Sequence, residues 1–139
     1  MKNTYQDKTK LVNSIFTKVY KKYDLMNDIM SFGVHRIWKR KFLDWMRPQA
    51  YSKLIDVASG TGDIARLFSD RVQNLAQIEC VEPNEKMLAI GKENLSKYKN
   101  IRWNKSSAEK LPFYSDTFDF YTISFGIRNV SNINLTLKE

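Results

Sequence analysis

The sequence predicts an α/β fold: a doubly wound parallel sheet preceded by a helical extension. Three observations carry that expectation. Short apolar runs at 53–59, 77–83, 100–106 and 117–126 are separated by short links, and the first three alternate with polar stretches of helical period at 63–72 and 84–98. Strand, helix, strand, helix, strand and strand in that order is the pattern of a parallel sheet. The chain also has 139 residues, of which 42% are hydrophobic and 13% aromatic. That is too apolar for a disordered chain and long enough to bury a core.

Residues 9–22 read as an amphipathic helix, with Leu11, Val12, Ile15, Phe16, Val19 and Tyr20 on one stripe. The stretch 23–33, ending at Gly33, reads as a loop or broken helix. A second helix spans about 35–46, with Ile37, Trp38, Phe42, Trp45 and Met46 as its apolar side. Arg47-Pro48 stops it, because a residue before proline is disfavoured in the helical region. The run 53–59 is a buried strand, followed by Gly60 and Gly62 and a helix over 63–72. A second strand, 77–83, ends at Pro83. Asn84 then caps a helix over 84–98, with Met87, Leu88, Gly91 and Leu95 at helical spacing. Strands three and four follow, and a further helix begins within 132–139. Residues 1–50 form a basic extension and residues 51–139 the sheet-bearing domain.

The formal net charge of +8 is unevenly distributed. Residues 1–50 carry 11 basic and 4 acidic side chains, a net of +7, and residues 51–139 a net of +1. The basic third, with its aromatic side chains, suits an anionic surface. It contains no recognised RNA module, and the rest of the chain offers no positive track, so no nucleic-acid partner is expected. The single cysteine, Cys80, excludes an internal disulfide and reads as small core filler on the second strand. No run approaches the roughly 18 apolar residues of a membrane span, and the first residues lack the apolar stretch of a secretory signal. The expected location is the cytoplasm.

The chemistry-bearing candidates begin at the turn after the first strand, 56–63. Gly60 and Gly62 allow a ligand to approach the backbone closely, and the helix that follows offers N–H groups to anionic atoms. Gly60-x-Gly62-x-x-Ala65 also satisfies a dinucleotide fingerprint. Glu82, ending strand two, lies 20 residues past Gly62, where a carboxylate can accept both hydrogen bonds of a ribose diol. NAD and S-adenosylmethionine both carry that ribose, so this pair alone does not choose between them. His35, the one histidine, reads as a capping or packing residue at a helix start rather than a base.

Beyond strand three, Ser107-Ala108-Glu109, Leu111-Pro112-Phe113 and Asp116-Thr117-Phe118-Asp119 resemble the adenine-contact and pre-strand-four stretches of seven-strand S-adenosylmethionine-dependent methyltransferases. YDLMNDIMSFGVHRIWKR (23–40), IDVASGTGD (55–63) and TISFGIRNV (122–130) resemble one subfamily, the ubiquinone/menaquinone biosynthesis C-methyltransferases. The resemblance covers essentially residues 12–139. It implies a Rossmann-like methyltransferase sheet, S-adenosyl-L-methionine as cofactor, and demethylmenaquinol or 2-methoxy-6-polyprenyl-1,4-benzoquinol as substrate. It carries cofactor contacts onto Gly60, Thr61, Gly62, Glu82, Ser107, Ala108 and Ser124. Arg128 and Asn129, after strand four, are the candidates for polar contacts to the quinol head, with Tyr23 as a hydroxyl from the N-terminal side. Two departures stand out: the family more often has Gly where Ser59 sits and Asp where Glu82 sits.

The same resemblance implies a prenylated quinol as partner and association with other quinone-biosynthesis enzymes. The lysine-bordered apolar stripe with Phe16, Trp38, Phe42 and Trp45 in residues 1–50 reads as packing on the domain and a lid on the substrate side, over the prenyl tail, with contact to an anionic membrane at its inner face as an addition. Two alternatives remain open: a methyltransferase for another small molecule, and an inactive fragment that only binds S-adenosylmethionine. The family fold has seven strands, whereas four precede Glu139. The expectation is therefore a C-terminally truncated sequence whose parent is active.

Overall fold

A computed structural model describes residues 10–12, 14–15, 33–124 and 126–139. Residues 10–12 and 14–15 are helical, and the remainder of the helix expected over 9–22 lies outside the described residues. The elements that follow are α1 (Val34–Met46), β1 (Lys53–Val57), α2 (Asp63–Arg71), β2 (Gln77–Val81), α3 (Glu85–Asn94), β3 (Ile101–Asn104), β4 (Phe120–Thr122), a single 3-10 turn (Ile127–Asn129) and α4 (Ile133–Lys138).

The four strands are parallel, in the order β3-β2-β1-β4. Val57 pairs with Val81, Val81 with Asn104, and Asp56 with Thr122, so the four carboxyl ends lie level. The chain steps outward from β1 to β2 to β3 and then returns to the other side of β1. That reversal makes the β1/β4 boundary the switch point of the sheet, the place where open α/β sheets open a crevice for ligands.

One face of the sheet is closed by helices. Leu54, Ile78, Cys80 and Ile101 pack with Leu43 of α1 and Ile64, Ala65 and Phe68 of α2. Cys80 is fully buried, the core role expected of it. Phe68 has no exposed surface and meets Phe120 edge-on at 5.3 Å. Burying a phenylalanine completely contributes about 2 kcal/mol from water exclusion alone. Lys39–Asp63 (2.6 Å) and Arg71–Asp44 (2.7 Å) tie α1 along α2.

Arg47 ends α1 as foreseen, leaving the helical region for the left-handed one (φ 49°), with its N–H on Leu43 O. One local expectation is corrected. The apolar side of α1 is divided. Leu43 is the residue it buries, with Phe42 and Met46 packed beside it, whereas Ile37, Trp38 and Trp45 point outward and are 57%, 55% and 73% exposed. α1 is apolar on two sides, and a single stripe could not represent both.

Candidate functional site

The turn leaving β1 is built from three left-handed residues, Ala58 (φ 51°), Gly60 (φ 59°) and Gly62 (φ 88°). Gly62 N–H donates to Ser59 O at 2.9 Å and closes it. A side chain at Gly62 would be strained by that φ, and its Cβ would fall 2.7 Å from Leu95 and 2.9 Å from Trp103. Ser59, the departure from the usual glycine, gives its N–H and its hydroxyl to Val81 O, at 3.1 and 3.4 Å. Its side chain is thus turned onto β2.

Glu82 leaves β2 almost wholly buried, and its carboxylate joins two elements. Gly60 N–H donates to Oε2 at 2.8 Å and Asn84 N–H to Oε1 at 2.9 Å. The extra methylene over aspartate belongs to an arm that reaches across to the glycine turn. Burial pushes its pKa up, and the two amides pull it partly back. Each carboxylate oxygen has two acceptor positions, so one on each remains after these bonds. Asn84 Oδ1 then accepts from Lys86 and Met87 N–H, both at 3.1 Å, and starts α3 as expected.

Asp56 lies one residue inside β1. Thr122 donates its hydroxyl to Oδ1 at 2.8 Å, while Oδ2 is buried without a hydrogen-bond partner. Burial foremost, with the charge of Glu82 adding to it, raises its pKa to about 7. Two carboxyl groups thus stand behind the glycine turn, and both hold protons more readily than in water.

The remaining residues singled out by sequence lie beyond the same strand ends. Ala108 is buried and Ser107 exposed just past β3, and Ser124 is half-buried two residues past β4. Strand four is shorter than expected and leaves Ser124 in the loop. Arg128 and Asn129 lie in the 3-10 turn, Arg128 exposed and Asn129 half-buried. Thr61 is half-buried in the glycine turn. Tyr23 lies outside the described residues. His35 lies in the first turn of α1 and lines a cleft against α2.

Three further contacts assemble the site. A Cβ on Gly126 would fall 2.5 Å from Ala58 Cβ, so glycine there lets the segment after β4 lie on the turn after β1. Glu109 Oε1 accepts from Ser131 N–H (2.6 Å) and Asn132 N–H (3.0 Å), binding the turn after β3 to the stretch past Arg128 and Asn129. Trp103 lies over both Gly62 and Gly91, where a Cβ on Gly91 would come within 2.1 Å of its ring. One cue to this last contact was visible in the sequence: a glycine inside a helix costs about 1 kcal/mol and usually marks close packing.

The sheet edge therefore offers a glycine cradle that side chains would obstruct and a buried carboxylate with acceptor positions to spare. Ala108 is buried with Val57, Val81 and Val130 beneath the loops past the same strand ends. These features fit a ligand carrying an adenosine ribose.

A sequence profile described as the ubiE/COQ5 methyltransferase family matches residues 2–139. The chain is 47% identical over 142 aligned positions to the ubiquinone/menaquinone biosynthesis C-methyltransferase UbiE of Rickettsia peacockii, covering 97% of this chain and 56% of that protein. The protein of the same description from Rickettsia bellii is also 47% identical, over 96% of this chain and 56% of its own length. The chain thus spans little more than half the length of these relatives. Among solved structures, a SAM dependent methyltransferase from Aquifex aeolicus superimposes with a TM-score of 0.66 at 24% identity, covering 73% of this chain and 55% of that one. YcgJ from Bacillus subtilis gives 0.66 at 20% identity, covering 72% and 42%. Both establish the Rossmann-like fold.

Proposed function

From the premise that the chain belongs to the ubiE/COQ5 methyltransferase family, we propose that it is the cofactor-binding part of an S-adenosyl-L-methionine-dependent C-methyltransferase of quinone biosynthesis. Its substrate is demethylmenaquinol, giving menaquinol, or 2-methoxy-6-polyprenyl-1,4-benzoquinol of the ubiquinone pathway, or both. The observation that carries the reading is Glu82 hydrogen-bonded to Gly60 at the end of β2, beside the switch point of the sheet.

When bound, the cofactor supplies a methyl group already activated on a sulfonium. The protein's task is then alignment and exclusion of water. Glu82 keeps acceptor positions for a ribose diol, and Gly60, Thr61 and Gly62 admit the ligand against the backbone. Ser107 and Ala108 would border its adenine, and Ser124 would lie at the crevice. A quinol whose phenolic oxygen is ionised pushes electron density onto the ring carbon that takes the methyl group, giving a neutral dienone; loss of the ring proton to water or a base then returns the negative charge to that oxygen. The Arg128 guanidinium and the Asn129 amide hold that oxygen, favouring its ionised form before transfer and the charge that returns as the ring proton leaves. Tyr23 adds a hydroxyl from the N-terminal side.

A prenylated quinol resides in lipid, so the protein works in the cytoplasm as a peripheral protein at the inner face of the membrane, alongside other quinone-biosynthesis enzymes. Among the described residues no helix is long and apolar enough to cross a membrane. The net +7 of residues 1–50 supports surface contact.

Titration calorimetry with S-adenosylmethionine, with NAD as control, tests the cofactor. Binding of the former alone is expected, and binding of NAD alone would overturn the reading. Methylation assays on the full-length protein with demethylmenaquinol and polyprenyl-benzoquinol separate this substrate class from other small molecules. Arg128→Ala is expected to lower turnover at least tenfold, the scale of one lost charge-stabilising contact.

A further inference from the structure

Ser59 and Glu82, the two departures of this chain from the residues usual in its family, meet at one place. Ser59 lies between two left-handed residues, Ala58 and Gly60, but is not left-handed itself, so a side chain there carries no backbone strain. Its N–H donates to Val81 O at 3.1 Å, one rung beyond the last β1–β2 pair, Val57 with Val81. Its hydroxyl donates to the same carbonyl at 3.4 Å. The next residue, Gly60, gives its N–H to Glu82 Oε2 at 2.8 Å. Consecutive residues of the turn are thus stitched to consecutive residues at the end of β2.

The stitch governs how the carboxylate stands. Glu82 N–H is fixed to Asn104 O at 3.0 Å, and Oε1 to Asn84 N–H at 2.9 Å. Oε2 takes its direction from Gly60, a residue with no side chain to hold it in place. What holds Gly60 is Ser59, on which both bonds that close the turn converge: its N–H and hydroxyl reach Val81 O, and its own O accepts from Gly62 N–H at 2.9 Å. A glycine at 59 would keep the two backbone bonds, lose the hydroxyl, and add a third freely rotating residue to a turn that already has two. An aspartate at 82 would draw the carboxylate back by one methylene, away from Gly60 N–H.

We propose that Ser59 is a positioning residue that acts through Gly60 on Glu82, so that Ser59 and Glu82 work as one unit in selecting a ligand with both ribose hydroxyls. With Gly60 N–H held, one acceptor position on each Glu82 oxygen remains for the diol. With Gly60 loose, Oε2 turns and the two positions no longer match it. The inference rests on the reading of this turn as an adenosine cradle, and names the ligand group whose recognition Ser59 governs.

The test combines ligand binding with an observation on the free protein. Ser59→Gly should weaken S-adenosylmethionine in titration calorimetry by about fivefold, the combined scale of one weak hydrogen bond and one glycine's added freedom. Its affinity for the analogue lacking both ribose hydroxyls, measured by displacement, should stay within twofold of the parent's, which a general loosening of the fold would not allow. Hydrogen exchange at Gly60 N–H should accelerate without ligand while the β1 and β2 amides keep their protection. Ser59→Ala, which keeps Cβ and loses only the hydroxyl, should move both readouts the same way by about twofold. Glu82→Asp should cost at least tenfold. The double variant should then lose no more than Glu82→Asp alone, because a carboxylate that cannot reach Gly60 gains nothing from its being held.

Three results would overturn the proposal: losses that multiply in the double variant, an equal loss of the analogue in Ser59→Gly, and unchanged exchange at Gly60. Failure of the parent to bind S-adenosylmethionine would overturn the cofactor reading and this inference with it. Normal binding by the parent with multiplying losses in the variants overturns the inference alone.

Discussion

Leu54, Ile78 and Cys80 reach one face of the sheet, where α1 and α2 close over them. Ile55, Val57 and Val81 reach the other, where the cover is irregular chain: Ala108, Leu111, Phe113, Phe118, Ile123, Ile127 and Val130. The helical face holds its shape by packing, since a helix satisfies its own backbone and needs only an apolar side. The irregular face must have its backbone groups bound one at a time. Glu109 receives Ser131 and Asn132 N–H, Glu139 receives Leu111 N–H, and Thr117 donates to Tyr114 O. The proposed substrate-contacting residues belong to this second kind of structure, in which a single hydrogen-bonding side chain decides where a loop lies.

The largest effect is expected on the helical face. Phe68→Ala removes a fully buried ring from between α2 and Phe120 and should cost about 3–5 kcal/mol. Denaturant titration of the variant measures it. A loss below about 1 kcal/mol would mean that packing on this face is looser than the buried contacts imply.

Asp56 brings charge into that same packed layer, and its effect depends on pH. Its carboxyl is raised from 3.8 to about 7 in the fold. The native state therefore holds a proton that the unfolded chain releases, and stability from this group falls as pH rises from about 4 through 7. At about 1.4 kcal/mol per unit, the full span is at most about 4 kcal/mol. Asp56→Asn should flatten the curve, gaining stability over the parent at pH 8 and little at pH 4. Denaturation midpoints at the two pH values give the difference, and parallel curves would show that Asp56 is ionised throughout.

On the irregular face the expected cost is smaller and local. Glu109→Ala leaves the Ser131 and Asn132 amides without their acceptor, a loss of about 1–3 kcal/mol. Hydrogen exchange should accelerate at those two amides, while the β1 and β2 amides keep their protection. Uniform acceleration would mean that the loops and the helical layer unfold as one unit.

The same division explains what the sequence disclosed. Strand and helix positions were legible because apolar periodicity is a property of elements that pack, and Met87, Leu88, Gly91 and Leu95 are all buried. The glycine turn and Glu82 were legible because their spacing is tied to a strand and a helix start. The outward turn of Trp38 and Trp45 was not, because a helical period reports which residues share a side and not how many sides are covered. Nor was the Glu109 clasp, which joins residues 22 positions apart through backbone amides that carry no residue-specific signal. Gly126 carries no sequence signal for the same reason: its value lies in a contact with Ala58 across the switch point.

The smallest effect separates scaffold from site within three residues. Asn84 and Glu82 both serve the start of α3, but through different groups. Asn84→Ala deletes the side chain that caps Lys86 and Met87 N–H, at about 1 kcal/mol, yet keeps the backbone N–H that Asn84 gives to Glu82. Stability should fall while affinity for S-adenosylmethionine stays within twofold. Glu82→Gln keeps the shape and an acceptor for one of the two amides but replaces the other oxygen with an NH₂ group. That group faces a donor and cannot take a ribose hydroxyl as an acceptor, so affinity should fall at least tenfold. If calorimetry instead found the larger affinity loss in Asn84→Ala, the position of α3 rather than the Glu82 carboxylate would govern binding.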